Sequence, residues 1–129
     1  MPRRVVCIED EQDVIDLMRL IVERHGFEFI EARGGVKGME TVRRIKPDLV
    51  LLDLMMPGID GWDVYDTLTT EAETKDIPIV IVTARAHHDA RVGEMRVANA
   101  ENLVTKPFGP AQLIDTIERV LQSSSSERK

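Results

Sequence analysis

The sequence predicts an alternating α/β domain built on one open parallel sheet, and three features of the 129-residue chain predict it. Short β-branched runs alternate with segments of helical periodicity, as repeated strand–helix units do. The run Leu49-Val50-Leu51-Leu52 is apolar on both faces, the pattern of a strand covered by helices on two sides. Four runs end on polar residues: Glu9-Asp10 after Val5 to Ile8, Asp53 after Leu52, Thr83 after Ile79 to Val82, and Lys106 after Leu103 to Thr105. If the strands are parallel, those four ends emerge at one edge of the sheet.

Val5 to Ile8 is the first strand. Gln12 to His25 follows as a helix with Val14, Leu17, Met18, Ile21 and Val22 on one face, and Gly26 is placed to end it. Phe27 to Glu31 is the second strand. Gly34-Gly35 opens a helix carrying Val36, Met39, Val42 and Ile45, which stops before Pro47. Asp48 to Asp53 is the third and central strand. The Pro57-Gly58 turn and Asp60-Gly61 lead into a helix with Trp62, Val64, Tyr65 and Leu68, where the two aromatics serve packing.

Ile77 to Thr83 is the fourth strand, with Pro78 tolerable near its start. A less apolar helix is expected over roughly Asp89 to Ala98, closed by Asn99, and Asn102 to Thr105 is the fifth strand. Pro110 opens the last helix, with Leu113, Ile114, Ile117, Val120 and Leu121 inward. One domain over residues 1–122 is expected, followed by a disordered polar tail or linker stump over residues 123–129. Right-handed strand–helix units of this kind wind helices onto both faces of a twisted sheet, and ligands bind beyond the strands' carboxyl ends.

Composition narrows the function. Hydrophobic residues at 43% and charged residues at 31% describe an ordinary folded chain. A net charge of −6 with no basic stripe argues against nucleic-acid binding. No apolar stretch reaches bilayer-spanning length, and no secretory h-region follows the N-terminus, so neither a membrane nor export is expected. Cys7, the only cysteine, falls in an apolar strand and reads as a small core hydrophobe. A cytoplasmic location is the expectation.

The strand ends carry the chemistry. Glu9, Asp10 and Asp53 would put three carboxylates in one crevice, which requires a cation because like charges at close range repel. Hard oxygen donors favour Mg2+ or Mn2+. With the ammonium of Lys106 and the hydroxyl of Thr83, these are the parts for phosphoryl transfer onto Asp53. Taken singly, each residue has a blander role as a cap, a helix first-turn acid or a solvated charge. Their joint occurrence on four strand ends favours the functional reading.

Ile8-Glu9-Asp10-Glu11, Asp53-Leu54-Met55-Met56-Pro57-Gly58-Ile59-Asp60-Gly61, Val82-Thr83-Ala84 and Thr105-Lys106-Pro107-Phe108 together resemble the response-regulator receiver domain of two-component signalling. The resemblance runs from about Arg3 to Leu121 and implies a flavodoxin-like, three-layer (βα)5 sheet of strand order 2-1-3-4-5. It implies that Asp53 accepts a phosphoryl group from a sensor histidine kinase or a histidine phosphotransfer protein. Glu9, Asp10, Asp53 and the Met55 carbonyl would hold the ion. Lys106 and Thr83 would meet the phosphoryl group, Ala84 would leave it room, and Lys106-Pro107 would be cis. Such a domain is a switch that catalyses only its own charging and discharge, acts on a downstream effector, and works as a monomer or a phosphorylation-linked homodimer.

Two departures matter. Leu103 stands where many receivers carry an aromatic residue that swings inward, so switching would run through Thr83 and backbone shifts. Met55 and Arg85 flank the expected path of an attacking water and would tune dephosphorylation. His87 and His88 are adjacent in a loop and read as surface. A flavin- or nucleotide-binding domain of the same architecture is the main alternative, but the acidic loop Glu9 to Asp13 would repel phosphate and no glycine-rich fingerprint is present. A true hydrolase would want a second carboxylate near the nucleophile, where Met55 stands. A degenerate receiver serving as scaffold would not keep the acids, threonine and lysine.

Overall fold

Residues 2–58, 60–84 and 102–127 are described by a computed structural model. Their elements are β1 (Arg4–Ile8), α1 (Gln12–Arg24), β2 (Glu28–Ala32), α2 (Gly35–Ile45), β3 (Leu49–Leu52), α3 (Gly61–Thr70), β4 (Ile79–Thr83), β5 (Leu103–Thr105) and α4 (Pro110–Glu127). The strands form one parallel sheet in the order β2-β1-β3-β4-β5. That order is the one the sequence resemblance implied. The expected helix at Asp89 to Ala98, with Asn99, Arg85, His87 and His88, lies outside the described residues.

Strand alternation sorts the core into two layers. Val5, Cys7, Leu49, Leu51, Val80, Val82 and Val104 point to the face covered by α1 and α4. Val6, Ile8, Val50, Leu52, Ile79 and Ile81 point to the opposite face, where Val42 of α2 and Trp62, Val64 and Leu68 of α3 cover them. Because side chains on a strand alternate at period two, a run apolar at every position must be covered twice, and β3 is buried throughout. Trp62 and Tyr65 meet edge to face with ring centroids 5.6 Å apart, as packing residues of α3.

Two helix faces differ from expectation. On α1 the sheet-facing row is Ile15, Met18, Ile21 and Val22, whereas Leu17 is 44% exposed. The helix carries two overlapping apolar stripes a turn's fraction apart, and contact with the sheet selects one of them. On α2 the inward residues are Gly35, Gly38, Thr41 and Val42, and Val36 is 63% exposed. The reason is close approach: a Cβ at Gly38 would lie 2.6 Å from the Ile8 side chain, so the glycine sets the helix down on β1 and turns Val36 outward.

The final helix runs on to Glu127, through the serine stretch that the sequence marks as an unstructured tail. A nucleated helix extends at one backbone hydrogen bond per residue fixed, and polar residues do not stop it. No helix among the described residues is long and apolar enough to cross a membrane.

Candidate functional site

Backbone pairing continues past the strand ends and seats the polar residues with the precision of the sheet. The Asp53 N–H donates to the Ile8 carbonyl at 3.0 Å, the Lys106 N–H to the Thr83 carbonyl at 3.0 Å, and the Glu9 N–H to the Ala32 carbonyl at 3.2 Å. The Lys106-Pro107 peptide is cis. Glu9, Asp53 and Thr83 are all buried, and Lys106 and Asp10 are half-buried at the same edge.

One ammonium serves the acidic group. Lys106 Nζ donates to Glu9 Oε2 at 2.9 Å and lies 3.5 Å from Asp53 Oδ2 and 4.0 Å from Glu11 Oε1. Asp53 Oδ1 accepts from the Met55 N–H at 3.0 Å, which closes a tight turn out of β3. Asp53 Oδ2 and Thr83 Oγ1 are buried and have no hydrogen-bond partner among the described residues. Buried polar atoms are almost always partnered, so two orphans at one strand edge mark a place built for something else. Carboxylate oxygens of Glu9, Asp10 and Asp53 lie within 4.8 Å of one another. That spacing, the hard oxygen donors and the orphaned Oδ2 fit a divalent cation.

Burial, and then the neighbouring Asp53 carboxyl, pushes Glu9 up from an ordinary 4.5 to about 7, against the pull of Lys106. For Lys106, burial favours the neutral form, but the hydrogen bond it donates to Glu9 and the charges of Asp53, Glu9 and Glu11 outweigh it and raise the ammonium's pKa. Cys7 lies beneath, its thiol held well above the ordinary value by burial, consistent with a core role.

The predicted residues Glu9, Asp10, Asp53, Met55, Thr83 and Lys106 therefore converge. Ala84 follows Thr83 and is exposed, and the Met55 side chain is 46% exposed at the rim. Leu103 is half-buried against the layer beneath α2 and α3 and pairs with Ile81. Arg33 joins the site without any signal in the sequence: its guanidinium donates to the Asp10 carbonyl at 2.7 Å and to Gln12 Oε1 at 3.2 Å. Only the β2–β1 neighbourhood brings that side chain to the acidic loop.

A profile described as response regulator receiver domain matches residues 5–118. The chain is 35% identical over 125 residues to the phosphate regulon transcriptional regulatory protein PhoB of Klebsiella pneumoniae, covering 97% of this chain and 54% of that protein. It thus spans about half the length of that relative. Protein PilH of Pseudomonas aeruginosa is 34% identical over 118 residues, covering 92% of this chain and 97% of PilH. Among solved structures, a receiver domain of a sensor histidine kinase from Pseudomonas aeruginosa, with a magnesium ion coordinated in its active-site cleft, superposes with a TM-score of 0.83. It is 19% identical and covers 95% of this chain and 99% of its own. At that identity the likeness concerns the fold.

Proposed function

Because this chain belongs to the response regulator receiver domain family of two-component signalling, we propose that Asp53 accepts a phosphoryl group from a phosphohistidine of a sensor histidine kinase or histidine phosphotransfer protein. An Asp53 carboxylate oxygen forms the bond to phosphorus as the donor's P–N bond breaks, and the electron pair returns to the ring nitrogen. Two buried atoms without a hydrogen-bond partner among the described residues carry this reading: Asp53 Oδ2 and Thr83 Oγ1, with the Lys106 ammonium 3.5 Å from the former. A carboxylate whose burial serves structure alone would have its oxygens satisfied.

Glu9, Asp10, Asp53 and the Met55 carbonyl would hold Mg2+ or Mn2+. Bound there, the ion would supply positive charge against the phosphoryl oxygens. Lys106 offsets charge on the same group, and Thr83 donates its hydroxyl to a phosphoryl oxygen. Ala84 keeps the approach open. Met55, and Arg85 two residues beyond Thr83 in the sequence, would tune hydrolysis of the acyl phosphate and so its lifetime. With Leu103 at the switch position, the response passes through Thr83 and the β4–β5 backbone to a downstream effector surface.

The test is incubation with acetyl phosphate and Mg2+, read by intact mass and peptide mapping. A single phosphate adduct at Asp53 is expected, absent from Asp53→Ala. An adduct elsewhere, or an equal adduct on the variant, would refute the assignment.

A further inference from the structure

Local bonds hold the β1–α1 loop, which carries Asp10, only weakly. The N–H groups of Asp10 and Glu11 reach Glu9 Oε1 at 3.3 and 3.4 Å, and Glu11 caps α1 without a side-chain hydrogen bond. The shortest hydrogen bond on the loop among the described residues comes from another segment. Arg33, the first residue beyond β2, donates to the Asp10 carbonyl at 2.7 Å and to Gln12 Oε1 at 3.2 Å. Gln12 is held in turn, its Nε2 donating to Asp16 Oδ1 at 2.8 Å one turn along α1. The root of Arg33 is fixed as well, because the Ala32 carbonyl just before it accepts from the Glu9 N–H at 3.2 Å. A guanidinium set among acids pairs with a carboxylate by preference. Here it makes no ion pair among the described residues and takes two neutral oxygens, while the Asp10 carboxylate has no hydrogen bond or ion pair among them.

Resting on the reading of Glu9, Asp10 and Asp53 as a divalent-cation site, we propose that Arg33 is a positioning residue for it. The guanidinium clasps the loop by its main chain and by Gln12, which fixes where Asp10 stands and leaves the Asp10 carboxylate open to the ion. Carboxylate oxygens of the three acids lie within 4.8 Å of one another, and a loop so held has less freedom to lose when a ligand binds. Against this gain stands a Coulombic cost, since a positive charge on the loop repels a divalent ion. The two effects have opposite signs. Removing the arginine weakens ion binding if it positions Asp10 and strengthens it if it acts through charge alone.

Mg2+ binding to the full chain is measured by calorimetric titration at fixed pH and ionic strength for wild type, Arg33→Ala, Gln12→Ala and the double variant. Arg33→Met replaces the alanine variant if that one does not fold. Arg33→Ala is expected to bind Mg2+ about tenfold more weakly than wild type, despite losing a repelling charge. Gln12→Ala is expected to bind about threefold more weakly, and to add no further loss once Arg33 is gone. In chelator, amide exchange at Asp10 and Glu11 is expected to quicken in Arg33→Ala while the unfolding temperature stays within about 3 °C of wild type. Equal or tighter binding by Arg33→Ala overturns the proposal, as do additive losses in the double variant or unchanged amide exchange. A larger drop in unfolding temperature also overturns it, by assigning Arg33 to general stability. No binding of Mg2+ by wild type, by heat or by a shift in unfolding temperature, overturns the cation-site reading itself. Binding by wild type with no loss in Arg33→Ala overturns the positioning role alone.

Discussion

Glu9 shows how a buried acid is kept against its own preference. Its carboxyl is held near 7 by burial and by Asp53, so the folded chain binds its proton more tightly than the unfolded chain does. The stability linked to that proton is full below the ordinary value of 4.5 and is lost as pH rises through about 7. In chelator, the unfolding temperature of wild type is expected to fall across that window more steeply than that of Glu9→Gln. Parallel curves would contradict the assignment. Met55 poses a kinetic question, because its amide fixes Asp53 Oδ1 while its side chain stays 46% exposed beside it. Met55→Asn keeps the amide and adds a polar group that can order water. Autodephosphorylation is expected to quicken by up to about tenfold, a barrier change of about 1.4 kcal/mol, and an unchanged or slower rate would remove Met55 from that role.

The turn from β3 into α3 ties an element boundary to the site. Asp60 accepts from the Trp62 N–H at 2.9 Å and caps α3, so Asp60→Ala is expected to cost about 1 kcal/mol in chemical denaturation. At Gly61 a Cβ would sit 2.4 Å from the Leu54 Cα and 2.7 Å from its carbonyl oxygen. Backbone cannot yield as a side chain does, so the ~1 kcal/mol that alanine gains in helix propensity is outweighed by an overpacking cost of roughly 1–3 kcal/mol. Gly61→Ala is expected to lower stability and, because Leu54 adjoins Asp53, to slow phosphate uptake from acetyl phosphate. At this scale the sequence was legible where apolar periodicity was unambiguous, as in α4, whose five expected inward residues are all buried. It misled at Leu17 and Val36, because a helix with two apolar stripes, or one seated by glycine, does not declare which side faces the sheet.

Across the whole molecule, the fold holds together an edge that electrostatics would disperse. Glu9, Asp53 and Glu11 share the Lys106 ammonium, and Asp53 Oδ2 and Thr83 Oγ1 remain buried without hydrogen bonds among the described residues. Asp53→Asn is therefore expected to unfold at a higher temperature than wild type in chelator while losing the stabilisation that Mg2+ gives. That stabilisation amounts to about 2.7 kcal/mol at a hundredfold excess over the dissociation constant. A variant less stable than wild type in chelator would show that crowding at this edge carries no cost. From the sequence alone came the parallel α/β class, the central strand, and the identity of the acids, threonine and lysine, because runs apolar at every position and polar strand ends are local patterns. Strand order was also legible there, but through family resemblance. The tertiary structure decided which oxygens are satisfied and which are orphaned, that Lys106 holds Glu9 more closely than Asp53, and that Arg33 reaches the acidic loop. Those are contacts between residues far apart in the chain, Lys106 and Glu9 being 97 positions from each other, and no local pattern encodes distance across a sheet.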